Sequence, residues 1–286
     1  LARDNESIDP PHDGDYYFTD DITKNACGFI KDHCNQKSEQ PFFLFASYTA
    51  PHWPLHARPE AIEKYKGRYS SGWDRLREQR LKRMIEIGIL NTDTVITERD
   101  STQPAWEDSL HKAWQERRME VYAAQVSSMD QGIGRILDTV EAKGELDNTL
   151  IFFLSDNGAC AEEIFETFYP YEKSAGEGLA KPLTCRTHTR DGRLMKHGND
   201  PTVPPGDETT FQSYGVAWAN LSNAPFREYK HFVHEGGIAT PLIVHWPDGI
   251  SDRGNLRHQT GQLMDIMATI IDVSGLDWPQ ERDGLP

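Results

Sequence analysis

Three stretches of the sequence set chemistry-bearing side chains on stiff or sharply turning backbone. Thr49-Ala-Pro-His-Trp-Pro54 holds His52 between two prolines. Each proline fixes its φ near about −65°, so the imidazole rides on a loop with few conformations, as suits a positioned proton donor or anion ligand. Asp156-Asn157-Gly158 sets a carboxylate beside an amide carbonyl, two hard oxygens of the kind Ca²⁺ takes. The same tripeptide has the composition of a turn, and the two readings are compatible. Lys230 precedes His234-Glu-Gly-Gly237, where paired glycines let backbone pass close to a ligand. Its ammonium is a compact point charge for a sulfate or phosphate. Singly, each has a plainer reading: a surface histidine stacked on Trp53, a turn, a solvated lysine. Together they describe a site for a tetrahedral oxyanion.

The elements around these residues predict how they meet. Pro41-Phe-Phe-Leu-Phe-Ala-Ser47, Thr149-Leu-Ile-Phe-Phe-Leu-Ser155 and Thr240-Pro-Leu-Ile-Val-His-Trp246 are short, continuous apolar runs. They read as strands buried on both faces of a parallel sheet. His52 follows the first run, Asp156 and Asn157 follow the second, and Lys230 lies just before the third. Helical spacing predicts helices over 20–33, with Thr19 as N-cap, over 75–90, over 104–143 with an interruption, and over 262–273. Helices alternating with apolar strands predict an α/β layered fold, in which ligands bind beyond the carboxyl ends of strands. Periodicity disappears over 176–223, which reads as a long active-site loop with Tyr214 and Trp218 at the substrate entrance.

Composition removes several function classes. A net charge of −15 argues against nucleic acid, whose phosphates need a basic surface. No apolar run approaches the roughly 20 residues of a membrane span. Cys27, Cys34, Cys160 and Cys185 show no C-x-x-C pair and no zinc spacing. Cys27 and Cys34, about two helical turns apart, are poorly placed for a disulfide.

In chain order, Ala50-Pro-His-Trp-Pro-Leu-His56, Met119-Glu-Val-Tyr-Ala-Ala-Gln-Val126, Met129-Asp130, Gly144-Glu-Leu-Asp-Asn-Thr149, Ser155-Asp-Asn-Gly-Ala159 and Lys230 with Glu235-Gly-Gly-Ile238 resemble successive blocks of the arylsulfatase family, within the alkaline-phosphatase-like superfamily. The resemblance runs from about Asp15 to the C-terminus. It implies a catalytic domain with a mixed, largely parallel central sheet flanked by helices, and hydrolysis of sulfate monoesters at a formylglycine beside one Ca²⁺. It also implies roles: Asp156 and Asn157 as metal ligands, His52 on the sulfate and the ester oxygen, and Lys230 binding sulfate and assisting the leaving group. The partner expected is a small-molecule or saccharide sulfate ester, with oligomeric state left open.

The departures from the family pattern are equally specific. None of the four cysteines stands in a Cys-x-Pro-Ser-Arg context, and the family's early Asp-Asp metal pair and its Lys-x-His pair, which the resemblance places upstream of residue 1, are not among these residues. Ala239 stands where the family often has arginine. The reading is therefore of residues 1–286 as the middle and C-terminal part of a catalytic domain. Its N-terminal strands, with the nucleophile, and a C-terminal subdomain begun by Arg282-Asp-Gly-Leu-Pro286 are expected outside the sequence. On that reading the 286 residues alone are inactive. The same donors also serve a phosphate or phosphonate ester, or a non-catalytic anion- or sugar-binding protein.

Overall fold

The computed structural model describes residues 1–9, 14–36, 40–164, 187–278 and 281. A two-residue hairpin, β1 (Ala2–Arg3) and β2 (Glu6–Ser7), opens the chain. Helix α1 (Phe18–Asn35) then carries Thr19, Thr23, Ala26 and Ile30 on one buried face. Tyr17, not Thr19, is its N-cap; Thr19 falls inside the first turn, where its carbonyl accepts the Thr23 hydroxyl at 3.0 Å. Asp20 and Asp21 complement the positive N-terminal end of the helix in place of a side-chain cap.

Short α2 (Pro59–Glu63) starts on a proline, and α3 (Gly72–Glu86) follows a glycine turn. The interruption expected within 104–143 is a 3₁₀ turn over Trp106–Asp108 and a left-handed His111 (φ 54°), after which α4 (Lys112–Glu141) runs for 30 residues. Helices α1 and α4 pack together, and at Gly132 of α4 any Cβ would strike Thr23 of α1 and Tyr48. Next come β3 (Ile151–Leu154), β4 (Lys196–His197), β5 (Thr210–Phe211), α5 (Gly215–Ser222), α6 (Glu235–Ile238), β6 (Leu242–His245) and α7 (Leu263–Ser274). Among the described residues, no helix is long and apolar enough to cross a membrane.

Helices mix with strands as expected, but the largely parallel central sheet is not found among the described residues. There, strand β3 pairs only with β6, antiparallel, from Ile151 opposite His245 to Leu154 opposite Leu242; the sole parallel ladder is β4 with β5. Residues 42–47 belong to no strand or ladder. Nor are the apolar strands buried on both faces: β6 is exposed along its length, and Phe43 and Phe45 are 72% and 79% exposed. A strand is buried on both faces only when both faces are covered, and nothing among the described residues covers these.

Burial concentrates elsewhere. Trp73, Trp106 and Trp218 meet with ring centroids 4.8, 5.4 and 5.9 Å apart, joined by Leu55, Ile62, Val121, Ala124 and Tyr229. Each buried indole N–H needs an acceptor; Trp73 finds the Pro104 carbonyl at 3.2 Å and Trp218 the Gln115 carbonyl at 2.8 Å. Trp218 therefore belongs to the core and not to a substrate entrance, and Tyr214 is likewise buried, stacked on Tyr122 at 4.4 Å. The first part of the expected 176–223 loop, together with Cys185 and the 282–286 segment, lies outside the described residues.

Candidate functional site

Strand β3 hands the chain to Asp156-Asn157-Gly158, and a dense backbone stitching fixes residues 158–160 against the 223–237 segment. Gly158 N–H donates to the Gly237 carbonyl at 3.0 Å, and a Cβ on Gly158 would collide with the Gly236 carbonyl. Only glycine allows that approach. The Asn223 side chain accepts from Ala159 N–H at 2.9 Å and donates to the carbonyls of Glu228 (2.8 Å) and Gly236 (2.6 Å). Lys230 N–H closes the loop on the Ala159 carbonyl at 3.0 Å. Residues 158–160 and 223–237 are thus one tied unit, which presents the Lys230 side chain beside Cys160 and Glu162.

His52 comes from the other side. Its backbone N–H donates to Thr49 O at 3.0 Å, and the Gln125 amide of α4 reaches the carbonyls of His52 and Pro54, both at 3.3 Å. The ring tilts on Trp53 with centroids 4.6 Å apart. Its Nδ1 lies 2.8 Å from the Trp53 carbonyl, which can only accept, so Nδ1 carries the hydrogen. In the neutral ring that leaves Nε2 as an acceptor, and the Lys230 Nζ lies 3.2 Å from it. His56, four residues on, contrasts with it: buried, bonded to the Thr210 carbonyl at 2.6 Å and with its pKa lowered by burial, it is a structural histidine.

Glu162 is the hub beneath this pair. Its carboxylate accepts from Trp53 Nε1 at 2.7 Å, Cys160 Sγ at 3.0 Å and His231 Nε2 at 3.0 Å, and lies 3.7 Å from Lys230 Nζ. Burial opposes its ionisation, but the hydrogen bonds from His231, Cys160 and Trp53 and the Lys230 charge outweigh that and hold its pKa down at about 2. Burial, with the hydrogen bond to Glu162, pushes the Cys160 thiol up. His231 reaches the carboxylate from a left-handed backbone (φ 81°), a conformation that costs a non-glycine residue on the order of 1 kcal/mol or more. Next door, buried Arg118 of α4 holds Glu163 at 3.1 Å and the Ser213 carbonyl at 2.7 Å, which pins the Glu162 segment to the core.

His52 and Lys230, from separate parts of the sequence, thus come into direct contact. Asp156 and Asn157 open on the same cleft as His52. Neither of their side chains hydrogen-bonds or pairs with a charge among the described residues, which leaves both oxygens available to a cation. Their donor chemistry fits Ca²⁺ in kind; in number they supply two of the roughly six to eight oxygens it takes. A second donor set, His52, Cys160 and Glu162, has ligand atoms within 4.8 Å of one another. Lys230 and His231 already place cationic or N–H groups against those same atoms.

Sequence reasoning missed Cys160, Glu162 and His231. Ala161-Glu162-Glu163 has the composition of a solvated acidic pair, and only its place a few residues beyond a strand end sets it apart.

Comparisons with known proteins converge on one family. Residues 2–276 match the family model described as Sulfatase. The chain is 34% identical over 256 residues to an uncharacterized sulfatase of Schizosaccharomyces pombe (strain 972), covering 87% of this chain and 42% of that protein. It is 32% identical over 279 residues to an arylsulfatase of Klebsiella aerogenes, covering 96% of this chain and 54% of that protein. The chain therefore spans about half the length of the curated relatives it matches. Among solved structures, the crystal structure of Ps i-CgsB in complex with k-i-k-neocarrahexaose superposes with a TM-score of 0.51 at 20% identity, over 92% of this chain and 35% of that one. That last likeness is one of fold.

Proposed function

The chain belongs to the sulfatase family, and on that premise we propose that the protein containing it hydrolyses sulfate monoesters. The observation that carries this reading is the 3.2 Å contact of Lys230 Nζ with His52 Nε2, beside a cleft that also opens on Asp156 and Asn157. Cations and N–H donors gathered at one point offset charge on sulfuryl oxygens, and they do so more strongly where water is excluded. The Lys230 ammonium is the donor on hand, and His52 Nε2 shares its proton. When the S–O bond breaks, a proton held across that contact can pass to the departing alkoxide oxygen, which would otherwise leave as a poor anion.

Two groups come from the family resemblance. A formylglycine, made from a cysteine other than Cys27, Cys34, Cys160 and Cys185, supplies the nucleophile. Asp156 and Asn157 would contribute their two oxygens toward one Ca²⁺, which would supply charge stabilisation at the sulfuryl oxygens. The apolar cleft of about 2570 Å³ bounded by 42–47, β3, α4 and α7 supports the reading that further strands complete this domain. On this reading the 286 residues alone do not turn over substrate.

The test is turnover of 4-nitrophenyl sulfate and 4-nitrophenyl phosphate by the full-length protein, side by side with the 286-residue chain. Sulfate turnover well above phosphate turnover, in the full-length protein only, is the expected result. Phosphate preference, or activity in the 286 residues by themselves, defeats the respective part of the reading.

A further inference from the structure

We propose that Glu162 is the positioning residue of this site, its carboxylate fixing both members of the proton-handling pair at once. The inference rests on the sulfatase reading above and adds a residue to it. Through Trp53 Nε1 (2.7 Å) the carboxylate sets the indole on which the His52 ring leans. Through Lys230 Nζ (3.7 Å) it holds the ammonium that meets His52 Nε2. The two contacts are divided between its two oxygens: Oε2 takes Trp53 and Cys160, and Oε1 takes His231 and faces Lys230. A carboxylate has two oxygens with about four lone-pair directions, so all four partners are served without competition.

Three features argue that this is more than a surface ion pair. The carboxylate is two-thirds covered and accepts from two other segments, at Trp53 and His231, as well as from neighbouring Cys160, whereas an exposed pair joins two flexible side chains. His231 holds a left-handed backbone while making its contact. And Glu163, the next residue, is anchored by a buried arginine, so the Glu162 backbone is set by the core and not by the site it serves. The groups facing Lys230 Nζ are His52 and Glu162, with Cys160 and His231 sharing the Glu162 carboxylate. Among the described residues Glu162 is the sole carboxylate in contact with the ammonium. Without its charge the ammonium keeps only the His52 contact, and without its acceptor the indole loses the hydrogen bond that fixes its rotation.

The experiment uses the full-length protein with Glu162→Gln, Glu162→Ala and Glu162→Asp, and aryl sulfates of graded leaving-group pKa. Gln keeps the size of the side chain and an oxygen for Trp53 but removes the charge. A misplaced catalytic group costs roughly 10- to 100-fold, so Glu162→Gln should lower kcat by that factor for basic leaving groups. The deficit should shrink for 4-nitrophenol, which needs little help from a proton, with KM changed by less than about threefold and Glu162→Asp recovering part of kcat. A deficit independent of the leaving group, or full activity in Glu162→Gln, overturns the proposal. A second readout is independent of turnover: acetylation of Lys230 by acetic anhydride, quantified by mass spectrometry, should rise about fivefold in Glu162→Gln as the ammonium leaves its clamp. Unchanged labelling overturns the positioning role. Raised labelling in a protein that cleaves no sulfate ester upholds the positioning and rejects the sulfatase reading instead.

Discussion

Two halves of this molecule use the same kinds of apolar residue to opposite effect. Around Trp73, Trp106 and Trp218 the chain closes on itself: Trp218 and Val121 have no exposed surface, and the indole N–H groups of Trp73 and Trp218 each have an acceptor. Around 42–47, β6 and α7, side chains as apolar as Phe45, Ile243 and Met264 face outward, and α7 has no buried residue at all. The site straddles the boundary. His52, Glu162 and Lys230 are held from the closed half, through Gln125, Arg118 and Asn223, and they already touch one another. Asp156 and Asn157 issue from β3, in the open half, and touch nothing charged among the described residues. On the proposed reading, the proton-handling residues already meet one another, whereas the expected cation ligands Asp156 and Asn157 await further partners.

That contrast can be broken at either end. The largest effect expected is from Trp218→Ala, which empties a fully buried site at a cost of about 3–5 kcal/mol. Against a typical stability of about 5–15 kcal/mol, that is a large share, and a thermal melt should show the midpoint lowered by roughly 6–20 °C. Smaller, and confined to turnover, are Lys230→Ala and His52→Ala in the full-length protein. Each removes one side of the 3.2 Å contact and should lower kcat by roughly 100-fold, or about 2.7 kcal/mol, with an unchanged melting midpoint.

The next test is of pH. Glu162 titrates near 2 in the folded chain against an ordinary value of 4.5, so its ionised form stabilises the fold above about 4.5. That contribution fades as pH falls through the interval toward 2. Melting midpoints of the native protein and of Glu162→Gln should accordingly differ at neutral pH and converge between pH 4.5 and 2; a constant gap would contradict the carboxylate's role. Smallest of all, Phe45→Ser in the 286-residue chain should change stability by no more than about 0.5 kcal/mol, because the ring is already in solvent. A large loss there would erase the distinction between the two halves.

Legibility from sequence divides along the same line. Helices with a regular apolar face were readable to within a few residues, as α1, α4 and α7 attest, because their periodicity is a property of the local chain. The strands were readable as apolar runs, but their pairing was not: direction and neighbours depend on which partners are present, and among the described residues β3 found only β6. His52 and Lys230, which the structure brings into contact, stood out in sequence through the prolines and glycines nearby. Glu162 did not, since nothing about an alanine followed by two glutamates distinguishes a tethered carboxylate from a solvated one. Thr19 misled because a capping residue type just inside the first turn looks the same in sequence as a cap.

Asn223 carries a last implication. One carboxamide grips three backbone stretches, at Ala159, Glu228 and Gly236. The spacing between the oxygen pair after β3 and the ammonium at 230 is consequently gauged by main chain, whatever side chains stand at the tips. Moving either the 158–160 or the 223–237 segment therefore means breaking these backbone contacts or carrying both together, with the 52–54 segment linked to them where Trp53 meets Glu162.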